Sequence, residues 1–229
     1  MQQEIQEILT AHGAVFPAGP YSNDRARGIT VYPDWGGVVR PNLVTLLEQI
    51  RQTLRQSDIE ISGKDCVGSG GAAKVPWVAC RPYGELHSPM KVQQGIYVNY
   101  LFSGDGSECY LVLGLSTQHL KPSNFRNWGG SKQEGITTLR DALMHTSSDE
   151  ITRIKDLIGG ARLESGDFEY EYNGSTDSRF WQYACPYWLR YPAAAIPSDV
   201  ELRDDLSNFV KLYLAIAEQR MIVPLNDIM

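Results

Sequence analysis

The sequence predicts an α+β fold in a single domain of residues 1–229, with a mixed, mostly antiparallel β-sheet that has a central hairpin and is packed by flanking helices. Leucine and isoleucine recur every three or four positions over 42–55, which is typical of an amphipathic helix. Residues 96–102 alternate, and 110–113 return as an apolar run after a polar, Gly-containing turn at 103–107, which indicates a β-hairpin. No repeat, low-complexity tract or flexible linker divides the sequence.

The amino-terminal part is predicted to contain two helices and a long connection. The first helix covers 3–12 and ends at Gly13. From there to residue 40 the chain is rich in Gly and Pro, which predicts a loop with one short strand at 29–32. This loop is longer than ordinary connections, which marks it as functional or mobile. After the second helix, at 42–55, a strand is predicted at 59–66.

The strands around the hairpin have two distinct faces. A short apolar strand is predicted at 75–79, after a Gly-rich loop. Over 96–102 the side chains alternate between the two faces of the sheet, because successive residues of a strand point to opposite sides. One face receives Ile96, Val98, Tyr100 and Phe102, and the other receives Tyr97, Asn99 and Leu101.

The carboxy-terminal part is predicted to be mainly helical. Helices cover about 134–144 and 149–158, and two glycines close the second of them. The alternating segment 168–172 predicts an edge strand. Ser198 and Glu201 have the spacing of a capping box, which opens a final helix that runs to about residue 220.

The composition is that of a globular protein, with 42% hydrophobic and 21% charged residues. No apolar run approaches the roughly 20 residues that a membrane span needs. The first residues lack a secretory pattern, so we expect a cytoplasmic protein without a membrane partner. A net charge of -6 argues mildly against avid, nonspecific binding of nucleic acid. A local basic face is still open, because seven basic residues lie in segments short of acids: Arg25, Arg27, Arg40, Lys121, Arg126, Lys132 and Arg140.

The sequence shows no recognisable metal, cofactor or catalytic motif. Its four cysteines, at positions 66, 80, 109 and 185, form no closely spaced pair, and its histidines lack ligand spacing, so we expect buried, reduced thiols and no metal or cofactor. The Gly-rich loop 68–74 lacks the Gly-Lys-Ser/Thr ending of a phosphate-binding loop and precedes a strand. It is either a turn that lies against a nucleic-acid backbone or a turn that needs positive φ.

Enzymatic activity is therefore not expected of the chain alone. It contains no Glu-x-Lys tripeptide of the kind that nucleases use to hold a metal, and no Gly-x-Ser-x-Gly nucleophile elbow. Two alternatives stay open. One is a hydrolase or nuclease with a site around Asp105, His119 and Asp167. The other is a protein-interaction domain whose aromatic residues only pack in the hydrophobic core.

An ordered set of motifs resembles one known family. The Gly-rich loop is followed by Val-Pro-Trp-Val-Ala at 75–79, by Gln-Gly-Ile-Tyr-Val-Asn-Tyr-Leu-Phe at 94–102, and by Cys-Tyr-Leu-Val-Leu at 109–113. This ordered set of motifs is similar to that of the N-terminal DNA-binding domain in McrB-type restriction systems, which are modification-dependent systems of prokaryotic defence. The specific part covers 68–117, and a looser resemblance continues to about residue 220.

The resemblance implies a protein that reads a modified base, by default 5-methylcytosine, after flipping it from the duplex into an aromatic pocket. Trp77 would form one stacking wall, and Tyr97 and Leu101 would bound the pocket and touch the methyl group. We add Asn99, on the same face, as a donor or acceptor for the base edge. Flipping costs a few kcal/mol, and stacking of about 1–3 kcal/mol per base offsets much of it. A second stacking ring is expected from the carboxy-terminal half, with Phe180 or Trp181 as candidates.

The resemblance also implies contacts to the DNA backbone and partners that this chain lacks. One difference is that Ser69 stands where family members carry an aromatic that fills the gap left by the flipped base, so either Tyr21 or Trp128 wedges the duplex or the strand opens differently. 5-Hydroxymethylcytosine and N6-methyladenine stay open as ligands. No GTP-hydrolysing motor is present, so motor and nuclease domains or subunits of a restriction complex are the expected partners beside modified double-stranded DNA. The expected backbone contacts are Ser69, Gly70, Lys74, Lys121 and Arg126.

Overall fold

The fold is built on one antiparallel sheet of six strands in the order β1-β2-β3-β4-β6-β5, seen in a computed structural model. The structure describes residues 1–15, 35–66, 75–82, 96–116, 131–159, 162–166, 168 and 181–222. All strand pairs are antiparallel, and β3 and β4 form the predicted hairpin at the centre, so the predicted fold class is confirmed. The strands are β1 (Ile61–Asp65), β2 (Trp77–Pro82), β3 (Ile96–Phe102), β4 (Glu108–Leu115), β5 (Glu164–Ser165) and β6 (Tyr187–Pro192).

Six α-helices accompany the sheet among the described residues. They are α1 (Gln2–Val15), α2 (Arg40–Arg55), α3 (Lys132–Met144), α4 (Asp149–Ile158), α5 (Trp181–Ala184) and α6 (Asp199–Ile222). Ser131 and Glu134 form a capping box at the start of α3, and Ser148 caps α4. The predicted capping box of the last helix is confirmed, because Ser198 N donates to Glu201 Oε2 at 2.9 Å and Glu201 N donates to Ser198 Oγ at 3.4 Å.

One side of the sheet, which we call the helix-side face, carries the main core. Val98, Tyr100 and Phe102 point from β3 into this core, as the alternation predicted. Helices α1, α2 and α6 contact the strands, and α4 packs against α6. The core takes Leu43, Leu46 and Ile50 from α2 and Leu202, Leu206 and Phe209 from α6.

The opposite side of the sheet, which we call the second face, carries the other half of each strand. On β3 it receives Tyr97 and Leu101, and on β4 it receives Tyr110 and Val112. Trp188 of β6 lies on the same face, since it pairs with Val112. The helix-side face is therefore a conventional core under helices, and the second face carries the four predicted pocket residues whose side chains are described.

The first helix does not end at Gly13, which corrects the prediction. It continues to Val15 because Gly13 lies directly against the hairpin turn. A Cβ on Gly13 would come within 2.5 Å of the carbonyl oxygen of Asp105, and a Cβ on Gly106 would collide with the carbonyl oxygen of Leu9. Gly106 also has a φ of 72°, in the region that favours glycine. These glycines allow helix and turn to approach closely, so Gly13 acts in packing and does not cap the helix.

Two further element predictions are corrected at the residues that the structure describes. Part of the predicted loop is helical, since Trp35–Val39 forms a π-helical turn that leads into α2. The edge strand lies at Glu164–Ser165 and does not begin at Phe168, which is buried and packs on the second face. The predicted strand at 29–32 and residues 169–172 lie outside the described residues.

Candidate functional site

The structure brings four of the predicted site residues together on the second face. In the β2–β3 pairing, Trp77 lies opposite Leu101, and two positions along the strands Ala79 lies opposite Asn99. Along β3, Tyr97, Asn99 and Leu101 follow at two-residue spacing, which separates successive positions by about 6–7 Å. Two adjacent strands therefore present an indole, a phenol, an amide and an aliphatic side chain as one continuous patch.

A glycine on the neighbouring strand positions the Tyr97 ring. Tyr97 pairs with Gly114 across the hairpin. A Cβ on Gly114 would lie 3.2 Å from Tyr97 Cε2 and 3.7 Å from Cζ, so the ring lies directly against this glycine. Tyr97 is only 7% exposed, and burial raises the pKa of its phenol. Gly114 thus provides the space that lets Tyr97 fold down onto the sheet.

Asn99 is the most unusual residue of the patch. Its side chain is 5% exposed, and within the described part of the chain no group donates a hydrogen bond to its Oδ1. Most buried polar atoms in native proteins are paired, and leaving one unpaired costs about 1–3 kcal/mol. We call this atom the open acceptor of Asn99. Ser116 Oγ, one residue beyond β4, is also buried and lacks a partner among the described residues.

Leu101 lies at the border of a packed aromatic cluster. This aromatic cluster fills one end of the second face with Val75, Leu101, Tyr110, Val112, Phe168, Cys185 and Trp188. The Phe168 ring stands perpendicular to the Tyr110 ring at a centroid distance of 4.9 Å, and its centroid is 5.0 Å from that of Trp188. Such edge contacts are favourable for aromatic pairs. Leu101 is therefore fully buried and joins the patch to this rigid end.

Trp77 connects the different parts of the site. It is half-buried and packs against the main core, the aromatic cluster and the Ala79–Tyr97 pair. Tyr97, Asn99 and Leu101 are all buried, so Trp77 is the member of these four that keeps substantial exposure. A partly accessible indole beside buried neighbours is a candidate surface on which a flat ring can stack.

Sequence reasoning missed a charged network beside the aromatic cluster. The Tyr110 hydroxyl donates to Glu108, and Arg190 Nε donates to Glu108 Oε1 at 2.6 Å. Tyr110 and Arg190 are cross-strand partners on β4 and β6. Burial, and then the contact with Glu108, raises the pKa of Tyr110. The two-residue spacing of Glu108 and Tyr110 is a local sequence pattern that puts both side chains on one face of β4. Arg190 could not be assigned to this network from the sequence, because it lies 82 residues from Glu108.

Comparison with known proteins decides the family. The model of the MrcB-like N-terminal domain matches residues 20–218, which is most of the chain. The chain belongs to this family. It is the McrB-type family that the motifs at 75–113 indicated, so the resemblance is confirmed. No curated protein matches the sequence at a significant level.

Several predicted site residues of this MrcB-like domain lie outside the described residues. For Trp181, the backbone is described as the first residue of α5 and the side chain is not. The remaining ones are Phe180 for the pocket, Ser69, Gly70, Lys74, Lys121 and Arg126 for the DNA backbone, Tyr21 and Trp128 as wedges, and His119 and Asp167 of the alternative site.

Two residues that sequence reasoning considered have structural roles in the MrcB-like domain. Asp105 Oδ1 accepts hydrogen bonds from the Ser103 hydroxyl at 2.7 Å and from the Ser107 amide at 2.9 Å, which fixes the hairpin turn. Burial would raise the pKa of Asp105, but these hydrogen bonds outweigh it and lower the pKa. Arg140 is buried and donates to Asp141 at 3.0 Å and to the Gly166 carbonyl at 2.9 Å, so it does not belong to an exposed basic face.

The cysteines of the MrcB-like domain are buried free thiols, as predicted. Burial raises the pKa of Cys66 and of Cys80 to about 12, which keeps both protonated at neutral pH. Among the described residues there is no group of three potential metal ligands, and no described helix is long and apolar enough to cross a membrane.

Proposed function

We propose that this MrcB-like domain is the specificity module of a modification-dependent restriction system. It binds double-stranded DNA and reads a modified base that has been turned out of the duplex, with 5-methylcytosine as the default ligand. Family membership supports the restriction context. The open acceptor of Asn99, buried on the same face as Tyr97 and Trp77, is the observation that carries the proposal, because a buried polar atom without a described donor supports a role in holding a ligand.

The second face suits a flat, partly polar ligand. Trp77 offers a half-buried indole, and the Tyr97 ring is held against Gly114. Stacking of a base on an aromatic ring contributes about 1–3 kcal/mol, which is comparable to the few kcal/mol that base extrusion costs. An amide between the two aromatic positions then adds hydrogen bonding to the base edge, which aromatic rings alone do not provide.

Contacts to the phosphates would position the duplex, and the pocket would give specificity. Lys74, Lys121 and Arg126 are the candidates for these contacts, with Ser69 and Gly70 supplying backbone groups. The net charge of -6 limits nonspecific affinity, so a large share of the binding energy must come from the pocket. Cleavage and GTP hydrolysis would be carried out by other domains or subunits of the complex.

Fluorescence anisotropy on matched duplexes tests this function. The duplexes share one sequence and carry no modification, 5-methylcytosine or N6-methyladenine, and each is measured at two salt concentrations. We expect at least tenfold tighter binding, about 1.4 kcal/mol, to one modified duplex. Equal binding to all duplexes that vanishes at higher salt would reduce the interaction to phosphate contacts. Absence of binding would contradict the proposal for these ligands.

The Trp77→Ala variant connects this preference to the second face. We expect it to lose the preference for modified DNA and to retain its fold, because Trp77 is only half-buried. Tyr213→Ala is the matched control, since Tyr213 is a half-buried aromatic that packs against the main core from α6. A loss of about 3–5 kcal/mol in unfolding free energy for Trp77→Ala would assign the indole to the core and would contradict a pocket role.

A further inference from the structure

The open acceptor of Asn99 defines which kind of base edge the second face can take. Asn99 lies between Ala79 and Val112 across the sheet and between Tyr97 and Leu101 along β3. None of these four neighbours donates a hydrogen bond to Oδ1. Its neighbours within the sheet thus leave the acceptor without a donor, and Asn99 is only 5% exposed.

We propose that Asn99 is a specificity-determining residue that accepts a hydrogen bond from the exocyclic amino group of the flipped base. The second face then selects bases of the cytosine or adenine type over bases that carry a carbonyl at that position. This inference rests on the proposed function, since it names the ligand class of the same site.

The chemistry of the amide supports this choice. An asparagine amide presents an acceptor oxygen beside an NH2 donor. Cytosine and adenine present the complementary pair, an amino donor beside a ring-nitrogen acceptor, and asparagine reads adenine through such a pair in the major groove. Thymine and uracil present a carbonyl beside a ring N–H. With the amide oriented as it is in this structure, that carbonyl would face the open acceptor, bring two acceptors together and leave both buried without a donor.

The discrimination from such a site is expected to be strong. A site built to hydrogen-bond one ligand group rejects an analogue that lacks the group far more strongly than an apolar pocket rejects a change of one methylene. Methylation at C5 of cytosine leaves the amino group intact, and N6-methylation of adenine leaves one N–H. Both modified bases therefore keep the donor that Asn99 requires, and the methyl group is left for other residues of the pocket to recognise.

A comparison of two duplexes that differ in one base tests the inference. One contains 5-methylcytosine opposite guanine, and the other contains thymine opposite the same guanine. Thymine keeps the ring and the 5-methyl group and changes only the amino donor and the ring-nitrogen acceptor. A mismatched base is also easier to extrude, so a pocket that read shape alone would bind the thymine duplex at least as tightly.

We expect the wild-type protein to bind the 5-methylcytosine duplex at least tenfold more tightly than the thymine duplex. Asn99→Leu should reduce this ratio to near one, because it removes the acceptor and keeps the volume. Asn99→Asp keeps an acceptor oxygen and should retain a preference in the same direction. The wild-type ratio requires no variant, so the test holds even if a substitution impairs folding.

Each result has a defined meaning. Equal or tighter binding of the thymine duplex by the wild-type protein would overturn the role of Asn99 and leave modified-base reading intact. An unchanged ratio in a folded Asn99→Leu protein would overturn it too. Equal binding of 5-methylcytosine and unmodified cytosine would instead overturn the proposed function for this ligand, so the two failures are distinguishable.

Discussion

Two buried polar side chains on opposite faces of the sheet are almost equally hidden from solvent and differ in their partners. Asp205 of α6 is 4% exposed and lies on the helix-side face. It accepts from the Tyr191 hydroxyl at 2.9 Å and from two nitrogens of Arg162 at 2.7 and 3.3 Å. Asn99 on the second face is 5% exposed, and no described residue donates to its oxygen.

The difference separates a polar group that is satisfied within the protein from one whose acceptor has no donor among the described residues. Asp205 has its hydrogen bonds within the protein, so it stabilises the packing of α6 on the sheet. Asn99 has an acceptor that no described residue satisfies, and the proposal assigns its donor to the bound base. Burial without a partner is not sufficient by itself, because Tyr100 Oη on the helix-side face also lacks one among the described residues. Asn99 stands out because it lies between Tyr97 and Trp77 on the face that carries the candidate site.

The largest expected effect on stability comes from Asp205→Ala. It leaves the buried Tyr191 hydroxyl without its acceptor and removes a hydrogen bond to a charged group. We expect a loss of about 2–3 kcal/mol in unfolding free energy, measured by urea titration. The exposed neighbour Asp204 provides the control, since Asp204→Ala should change little. Loss of modified-DNA preference at unchanged stability would contradict the assignment of Asp205 to structure.

A pair of tyrosines sharpens the comparison within the helix-side face. Tyr191→Phe removes a hydroxyl that donates to Asp205, and we expect it to cost about 1–1.5 kcal/mol. Tyr100→Phe removes a buried hydroxyl that has no partner among the described residues, so it should be neutral or stabilising. Thermal or urea unfolding of both variants measures this difference. Equal costs for the two would show that hydrogen-bond satisfaction does not control stability here.

Asn99→Leu tests the corresponding effect on the second face. Removing an unsatisfied buried amide should leave the unfolding free energy unchanged or raise it by up to about 1 kcal/mol. Asn42→Leu is the matched control, because Asn42 Nδ2 donates to Glu7 Oε2 at 2.8 Å and the substitution loses that bond. A larger loss of stability for Asn99→Leu than for Asn42→Leu would show that Asn99 serves the fold.

The smallest expected effect comes from Gly114→Ala. The added methyl would lie 3.2 Å from the Tyr97 ring, so the ring must move by a few tenths of an ångström. We expect weaker binding of the preferred modified duplex and a stability change below about 1 kcal/mol. Gly37→Ala is the control, since a Cβ there meets nothing within 4 Å. Unchanged binding by Gly114→Ala would show that the position of the Tyr97 ring does not affect recognition of the modified duplex.

Local patterns in the sequence predicted much of the fold and the centre of the candidate site. Alternation over 96–102 placed Tyr97, Asn99 and Leu101 on one face because strand periodicity is a local property. The capping box at Ser198 was also a local signal and predicted the start of α6. The order of motifs around the hairpin indicated the family that the comparison then confirmed.

Features that depend on tertiary contacts could not be read from the sequence. Gly13 resembled a helix end, and only its contact with the hairpin turn shows why the helix continues. Phe168 resembled a strand residue, but its partners Tyr110 and Trp188 are distant in sequence. The absence of a donor to Asn99 Oδ1 among the described residues is likewise invisible in the sequence, because it depends on every neighbour that folding brings to the amide.

The central claim, that the second face holds a base beside Asn99, is tested most directly by NMR of the Asn99 side-chain amide. Its NH2 signals are assigned from their absence in the spectrum of Asn99→Leu. We predict that a saturating 5-methylcytosine duplex shifts these signals and that an unmodified duplex of the same sequence does not. If the modified duplex binds, as judged by shifts elsewhere in the protein, and the Asn99 signals stay in place, the second face is not where the base is read.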